Sequence, residues 1–283
     1  MDDIATLLIS VFTWSTLYFT LCLLNPRRSY EWHIRTVTVV HAVTVTILGL
    51  YSIFVVGPWP FDRMGGESNA FQQFVVTISL GYFLLDLSWC LYFQTEGPVM
   101  LLHHSLSITG LSVCFVLKMY GIEIVATIMG AELTNPLLQF RWFLRETNQY
   151  NSLLGDIVDV LFMVLFGIVR IGLGTLLLIS CYMQDTTDWL TRLGGTCIYS
   201  IGWVFFISIV QYGIKKYKKK YGSGRKDHHA DGTLKANGEL SHETNGALGS
   251  DSFSVHSNGN GVGTGDVQNG GIHKRHVANG TVH

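Results

Sequence analysis

A train of long apolar runs, broken only by short polar stretches, constrains this chain most. Seven runs (about 4–24, 36–56, 72–93, 98–117, 121–144, 155–181 and 194–214) each hold about 20 residues or more, enough for a helix to cross ~30 Å of hydrocarbon. None alternates as barrel strands do, so helices must satisfy the backbone inside a bilayer. A soluble helical protein would show charged faces every three to four residues, and these runs do not. The expected fold is all-α, a polytopic membrane bundle of about seven transmembrane helices. Charged residues are only 14% of the chain, against roughly 25% in a soluble domain. With a net charge of -1, the chain has no basic footprint for nucleic acid.

The charge is unevenly placed. Residues 1–214 carry 9 Lys/Arg against 14 Asp/Glu, and residues 215–283 carry 10 against 6. If the runs cross in succession, Arg27, Arg28, Arg35, Arg141, Arg145 and the Lys215–Lys220 cluster fall on one side. Arg63, Lys118 and Arg192 fall on the other. The richer side is expected in the cytosol, which puts the N-terminus in a lumen or outside and the C-terminus in the cytosol. The first run follows Asp2 and Asp3 instead of a basic segment, so it reads as a retained span.

After about residue 222 the chain is rich in Gly, Asn, Ser and His, which predicts disorder. The tail histidines are scattered apart from His228-His229, and no metal-ligand spacing is read there or elsewhere. Lys215, Lys216, Lys218, Lys219 and Lys220 are expected to anchor the last helix at anionic headgroups, at about 1 kcal/mol each. The Asn279-Gly-Thr281 sequon is expected to stay unglycosylated in a cytosolic tail. The five cysteines read as small core residues, with a Cys181–Cys197 disulfide as an alternative.

Ionisable groups inside a bilayer are costly and usually face a bundle interior or a cavity. Their depths follow from a rise of about 1.5 Å per residue. His41 lies about 8 Å into its run, Asp86 about 10 Å from the end of its own, and His103 and His104 about 8–9 Å beyond Pro98. Asn135 and Glu132 lie about 14 and 18 Å from the end of the fifth run, where Arg141 sits. Groups from several helices thus share the cytosolic half of the membrane, predicting one buried polar site. Two stripes support it: Ser79, Tyr82, Asp86 and Trp89, and Glu132, Asn135, Gln139 and Trp142. Adjacent His103 and His104 point about 100° apart, so one can face the site while the other pairs with a neighbouring helix. Pro136 is expected to free a backbone carbonyl. Arg170 should find a carboxylate, Glu132 first, and Asp86 has Arg141 or Arg170 as alternative ion-pair partners. Glu123 should be solvated. Asp156 and Asp159 read as favourable charges at a helix N-terminus.

Gly81-Tyr-Phe-Leu-Leu-Asp86, Leu101-Leu-His103-His104-Ser105, Gly130-Ala-Glu132-Leu-Thr-Asn135-Pro136 and Arg141-Trp-Phe-Leu144 resemble the TLC domain. That membrane domain is shared by ceramide synthases, a translocation-associated membrane protein and lipid-homeostasis proteins. The resemblance covers about residues 35–214 and is nearer to the small TLC domain-containing proteins than to the synthases. It implies a six-helix bundle around a lipid-sized cavity, built from runs two to seven. The chain then divides into a first helix and basic loop (1–34), the TLC-like domain (35–214) and the tail (215–283). In ceramide synthases the matching histidine pair serves acyl transfer from acyl-CoA. The further His-Asp pair of that motif is replaced here by Glu132 and Asn135.

Two functions follow as expectations. In one, a lipid-metabolic enzyme transfers an acyl group to a lipid, with His103, His104 and Asp86 catalytic and Glu132, Asn135, Arg141 and His41 holding substrate. Acyl-CoA is then a substrate, with no metal or resident cofactor. In the other, the same groups hold a headgroup in a non-catalytic protein of lipid binding, membrane composition or cargo trafficking. Either way the partners are membrane lipids, and the resemblance implies the endoplasmic reticulum.

Overall fold

The computed structural model describes residues 3–221. The tail with its expected disorder, His228, His229 and the Asn279 sequon lies outside the described residues. The helices are α1 (Asp3–Leu24), α2 (Tyr30–Tyr51), α3 (Ala70–Phe93), α4 (Pro98–Leu117), α5 (Gly121–Glu146), α6 (Leu153–Phe166), α7 (Gly174–Met183) and α8 (Trp189–Tyr221). A π-helical turn over Ser52–Val56 extends α2, and another over Gly167–Leu173 joins α6 to α7 as one rod. Six rods are long and apolar enough to cross a membrane: α1, α2 with its π turn, α3, α4, α6–α7 and α8. The remaining expected span is α5. Its 26 residues give it the length, but it carries Glu123, Glu132, Arg141 and Arg145.

Local signals set the ends. Ser29 caps α2 by accepting from the Trp32 amide. Asn69 and Gln72 close a reciprocal capping box on α3. Pro98 opens α4, where its missing N–H costs nothing. Helix α5 runs through Pro136 without a break.

Helix α5 packs on α2 and α6, while α3 lies between α1 and α4, and α8 lies against α4 and α7. Helix α1, which precedes the six expected helices of the bundle, packs closely against it. Ser10 Oγ and Trp14 Nε1 both donate to the Ile78 carbonyl, at 3.2 and 3.1 Å. Gly81 allows this approach, since a Cβ there would strike the Ser10 side chain. One apolar core joins α1 to α5 around Trp14, Tyr82, Leu111 and Val125; a second joins α6 and α8 around Phe162, Phe166 and Phe205.

The end of the bundle bearing Glu123 is tied by loops. Glu67 and Met119 form an isolated antiparallel bridge. Glu123 is 7% exposed and accepts from the Gly65 amide at 3.0 Å, so it is buried and not solvated as expected. All five cysteines are free, so Cys181 and Cys197 form no disulfide.

Asp188, in the loop before α8, accepts from Tyr120 Oη at 2.5 Å and from the amide and hydroxyl of Thr191 at 2.9 Å each. Burial pushes its carboxyl up, but these hydrogen bonds outweigh burial and hold it below its ordinary value. The same bond, more than burial, pushes the Tyr120 phenol up to about 12. A depressed carboxyl contributes stability above its unfolded value and loses it as pH falls through the folded one. Tyr120→Phe should therefore lower the melting temperature at neutral pH and flatten its fall on acidification. Melting curves in detergent between about pH 3 and 7 check this; an unchanged acid limb would count against the bond.

Candidate functional site

The site is assembled by helices α2 to α5. From α3, Asp86 Oδ2 lies 3.3 Å from His104 Nδ1 on α4. The two atoms are not aligned as donor and acceptor, so Nδ1 is buried without a hydrogen bond. The His103 ring turns about 72° away from that of His104 and meets Phe205 of α8 edge-on at 5.6 Å. Its Nδ1 is also buried and unbonded. The two adjacent imidazoles therefore have different surroundings.

Beside this pair, His41 is fully buried and stacks on Tyr82, with ring centres 3.8 Å apart and planes 13° apart. Its Nδ1 lies 3.7 Å from Glu132 Oε2, too far for a hydrogen bond. Glu132 Oε2 accepts from Asn135 Nδ2 at 2.9 Å, Asn135 Oδ1 from Gln139 Nε2 at 3.0 Å, and Gln139 Oε1 from Arg35 at 3.0 Å. These residues are three to four apart on α5, hence on one face, and the stripe ends where Arg35 covers the Trp142 ring at 4.8 Å. The result is a polar file from the helix end inward to His41. Asp86 and His104 approach to 3.3 Å, and His41 and Glu132 to 3.7 Å, so helices α2 to α5 each contribute a buried ionisable side chain.

Arg35 also bonds Glu31 and lies 3.9 Å from Glu96 in the α3–α4 turn. Burial pushes the Glu96 carboxyl above its ordinary value, with Arg35 pulling it back. Sequence reasoning counted Arg35 only for orientation and passed over Glu96. The available signal for Arg35 was Glu31, four residues earlier on the same face. Cys90, read as core, also joins the site, one turn beyond Asp86 and near His104.

Several expectations are corrected. Arg141 leaves the site: two residues past Gln139, it projects from the opposite face of α5 and pairs with Asp159 of α6 at 2.5 Å. Asp86 pairs with neither Arg141 nor Arg170. Arg170 is not bonded to Glu132; it donates to the Ala131 carbonyl at 2.7 Å and Thr134 Oγ1 at 3.3 Å, although the Glu132 charge reaches it. In the α3 stripe, Tyr82 and Asp86 face the site, while Trp89 donates to Tyr18 of α1 at 3.1 Å and Ser79 to its own helix. Asp156 and Asp159 do more than favour a helix dipole. Asp159 accepts from Tyr150 and Lys216, and Asp156 pairs with Lys216 and Lys220. Two of the expected headgroup lysines are thus engaged within the protein.

A cavity of about 450 Å³ opens between the ends of α2 and α5, lined by Trp32, Thr36, Phe140, Phe143, Leu144, Thr147, Gln149 and Leu154. It is mostly apolar and does not touch His103 or His104.

Residues 31–214 match the family model of the TLC domain. The chain is similar to human TLC domain-containing protein 4, at 28% identity over 207 residues, covering 62% of this chain and 77% of that one. An all-helical bundle with six rods able to span a membrane, and a family match over well over half its length, make this chain a multi-pass membrane protein of the TLC-domain family.

Proposed function

We propose that this protein handles a membrane lipid at the His103, His104 and Asp86 cluster, and that its reaction is acyl transfer from acyl-CoA to a lipid hydroxyl or amine. The basic end carrying Arg35, Arg141 and Lys216 then faces the cytosol, the N-terminus faces the lumen, and the membrane is that of the endoplasmic reticulum. The observation that carries the reading is the adjacent pair of imidazoles with different surroundings. His104 is held against a carboxylate, and His103 keeps a buried nitrogen with no partner. A free imidazole nitrogen can take the proton of a nucleophile as its oxygen or nitrogen attacks the thioester carbonyl. The C–S bond then breaks, and the CoA thiolate leaves with a proton. Asp86 places a carboxylate 3.3 Å from His104, where it can stabilise a cation that forms on the imidazole. Glu132, Asn135 and His41 line the neighbouring polar file, and Arg35 stands at its mouth. Arg141 acts at the bundle end, outside this centre.

A second reading has one observation in its favour. Glu132, Asn135 and Gln139 are bonded to one another where the synthase motif carries its further His-Asp pair, as suits a protein that holds a headgroup without turning it over. Comparative lipidomics separates the readings. Cells making the parent should differ from cells making His103→Ala/His104→Ala, at equal protein level, in one acylated lipid class. Equal lipid profiles, with a lipid co-purifying with the parent and lost from the variant, would replace transfer with binding.

A further inference from the structure

We propose that Asp86, Cys90 and His104 bind one zinc ion, with a fourth position left open. Asp86 and Cys90 lie four residues apart on α3, so they share a face, and α4 brings His104 to it. One ligand atom from each residue lies within 4.8 Å of the other two. The His104 Nδ1 to Asp86 Oδ2 separation is 3.3 Å. That is about the edge of a zinc tetrahedron with nitrogen and oxygen each ~2.0 Å from the metal.

The orientation of these atoms is the second observation. His104 is 8% exposed, and its Nδ1 has no hydrogen bond although a carboxylate oxygen lies 3.3 Å away. An ordinary His–Asp pair aligns donor and acceptor. Here the two atoms lie close but form no hydrogen bond, so the buried nitrogen is left without a partner and open to a ligand. Cys90, 5% exposed, supplies the third atom. Its sulfur already lies within 4.8 Å of the other two ligand atoms, and a Zn–S bond of ~2.3 Å would require it to close to about 3.5 Å.

The donor set points to the metal. Thiolate, imidazole and carboxylate together suit zinc better than the hard cations magnesium and calcium, which take oxygen. Charge also balances. On binding, Cys90 gives up its thiol proton and His104 binds as neutral imidazole. One thiolate and one carboxylate then cancel the divalent charge, which favours burial of the ion in an apolar bundle. Three protein ligands leave a place for water or a lipid oxygen, next to His103. The site shares the His104–Asp86 contact with the proposed lipid centre but needs no lipid turnover to exist.

The test uses the full chain, purified in detergent, stripped by chelator and reloaded with cobalt. The parent should develop a thiolate-to-cobalt charge-transfer band saturating at one equivalent. Cys90→Ser should lose it and Cys22→Ser should keep it. The tail histidines cannot produce this band, because the chain has no cysteine beyond Cys197. X-ray absorption on zinc-loaded parent does not depend on how any variant folds. It should show one sulfur at about 2.3 Å with nitrogen and oxygen at about 2.0–2.1 Å. Absence of a sulfur neighbour, or a band that survives in Cys90→Ser, would overturn the proposal. A zinc-free parent whose histidine variants still change cellular lipids would remove the metal and keep the lipid reading. A zinc-loaded parent without lipid turnover would do the reverse.

Discussion

Asp159→Ala should destabilise the purified protein by about 3 kcal/mol, the low end of the cost of breaking a buried ion pair. Asp159 accepts from Arg141 at 2.5 Å, Lys216 at 2.6 Å and Tyr150 at 2.7 Å, so a single carboxylate ties α5, α6, α8 and the loop between α5 and α6. Truncation leaves two cations beside each other, and Arg141 is only 8% exposed. The neutral isostere Asp159→Asn should cost less, since it keeps an acceptor. In Arg141→Met/Asp159→Leu, where neither charge is stranded, the loss should be smaller than the sum of the two single substitutions. Thermal melting in detergent at fixed pH measures all of these. A loss below about 0.5 kcal/mol in Asp159→Ala, the range of ordinary surface substitutions, would mean that solvent screens this cluster and that it does not hold the bundle end.

Glu132→Ala should cost about as much, roughly 3 kcal/mol, for a different reason. Glu132 is 3% exposed, and its charge reaches Arg170 without bonding it. Removing it strands the Asn135 amide and leaves Arg170 without a compensating anion. Glu132→Gln keeps the shape and an oxygen for Asn135, so the polar file from Arg35 persists and only the charge is lost. Glu132→Gln still leaves Arg170 without its anion, so it should lose melting temperature but less than Glu132→Ala. If Glu132 also serves substrate, lipid turnover should fall further in Glu132→Gln than that melting loss explains. Equal melting losses in both variants would assign Glu132 to the fold alone.

The axial positions of the polar groups were legible in the sequence, and their directions around each helix were not. A rise of about 1.5 Å per residue places His41, Asp86 and His104 at similar depths and Glu132 deeper, and they meet as two pairs, His104 with Asp86 and His41 with Glu132. Azimuth depends on which neighbours a helix packs against, information that the linear pattern lacks. Arg141 and Gln139 are two residues apart and serve opposite faces of α5; Trp89 and Asp86 share the expected stripe but part between α1 and α4. Helix extents show the same contrast. The apolar run expected over 36–56 becomes a helix from Tyr30, because Ser29 caps a polar first turn. The run expected to end at 214 continues to Tyr221, where Lys216 and Lys220 find Asp156. The contribution of Cys90 was hidden because a thiol in an apolar run looks like packing until His104 is placed beside it.

On the proposed reading, the groups on α2 to α5 hold one lipid headgroup. Photolabelling tests it most directly, using a phospholipid with a photoreactive group in its headgroup and the protein in vesicles. The account predicts labelled peptides around Tyr82–Cys90 and Leu101–Ile108, with labelling reduced in His104→Ala. Labels confined to outward-facing positions such as Phe12 and Val116, unaffected by that substitution, would contradict it.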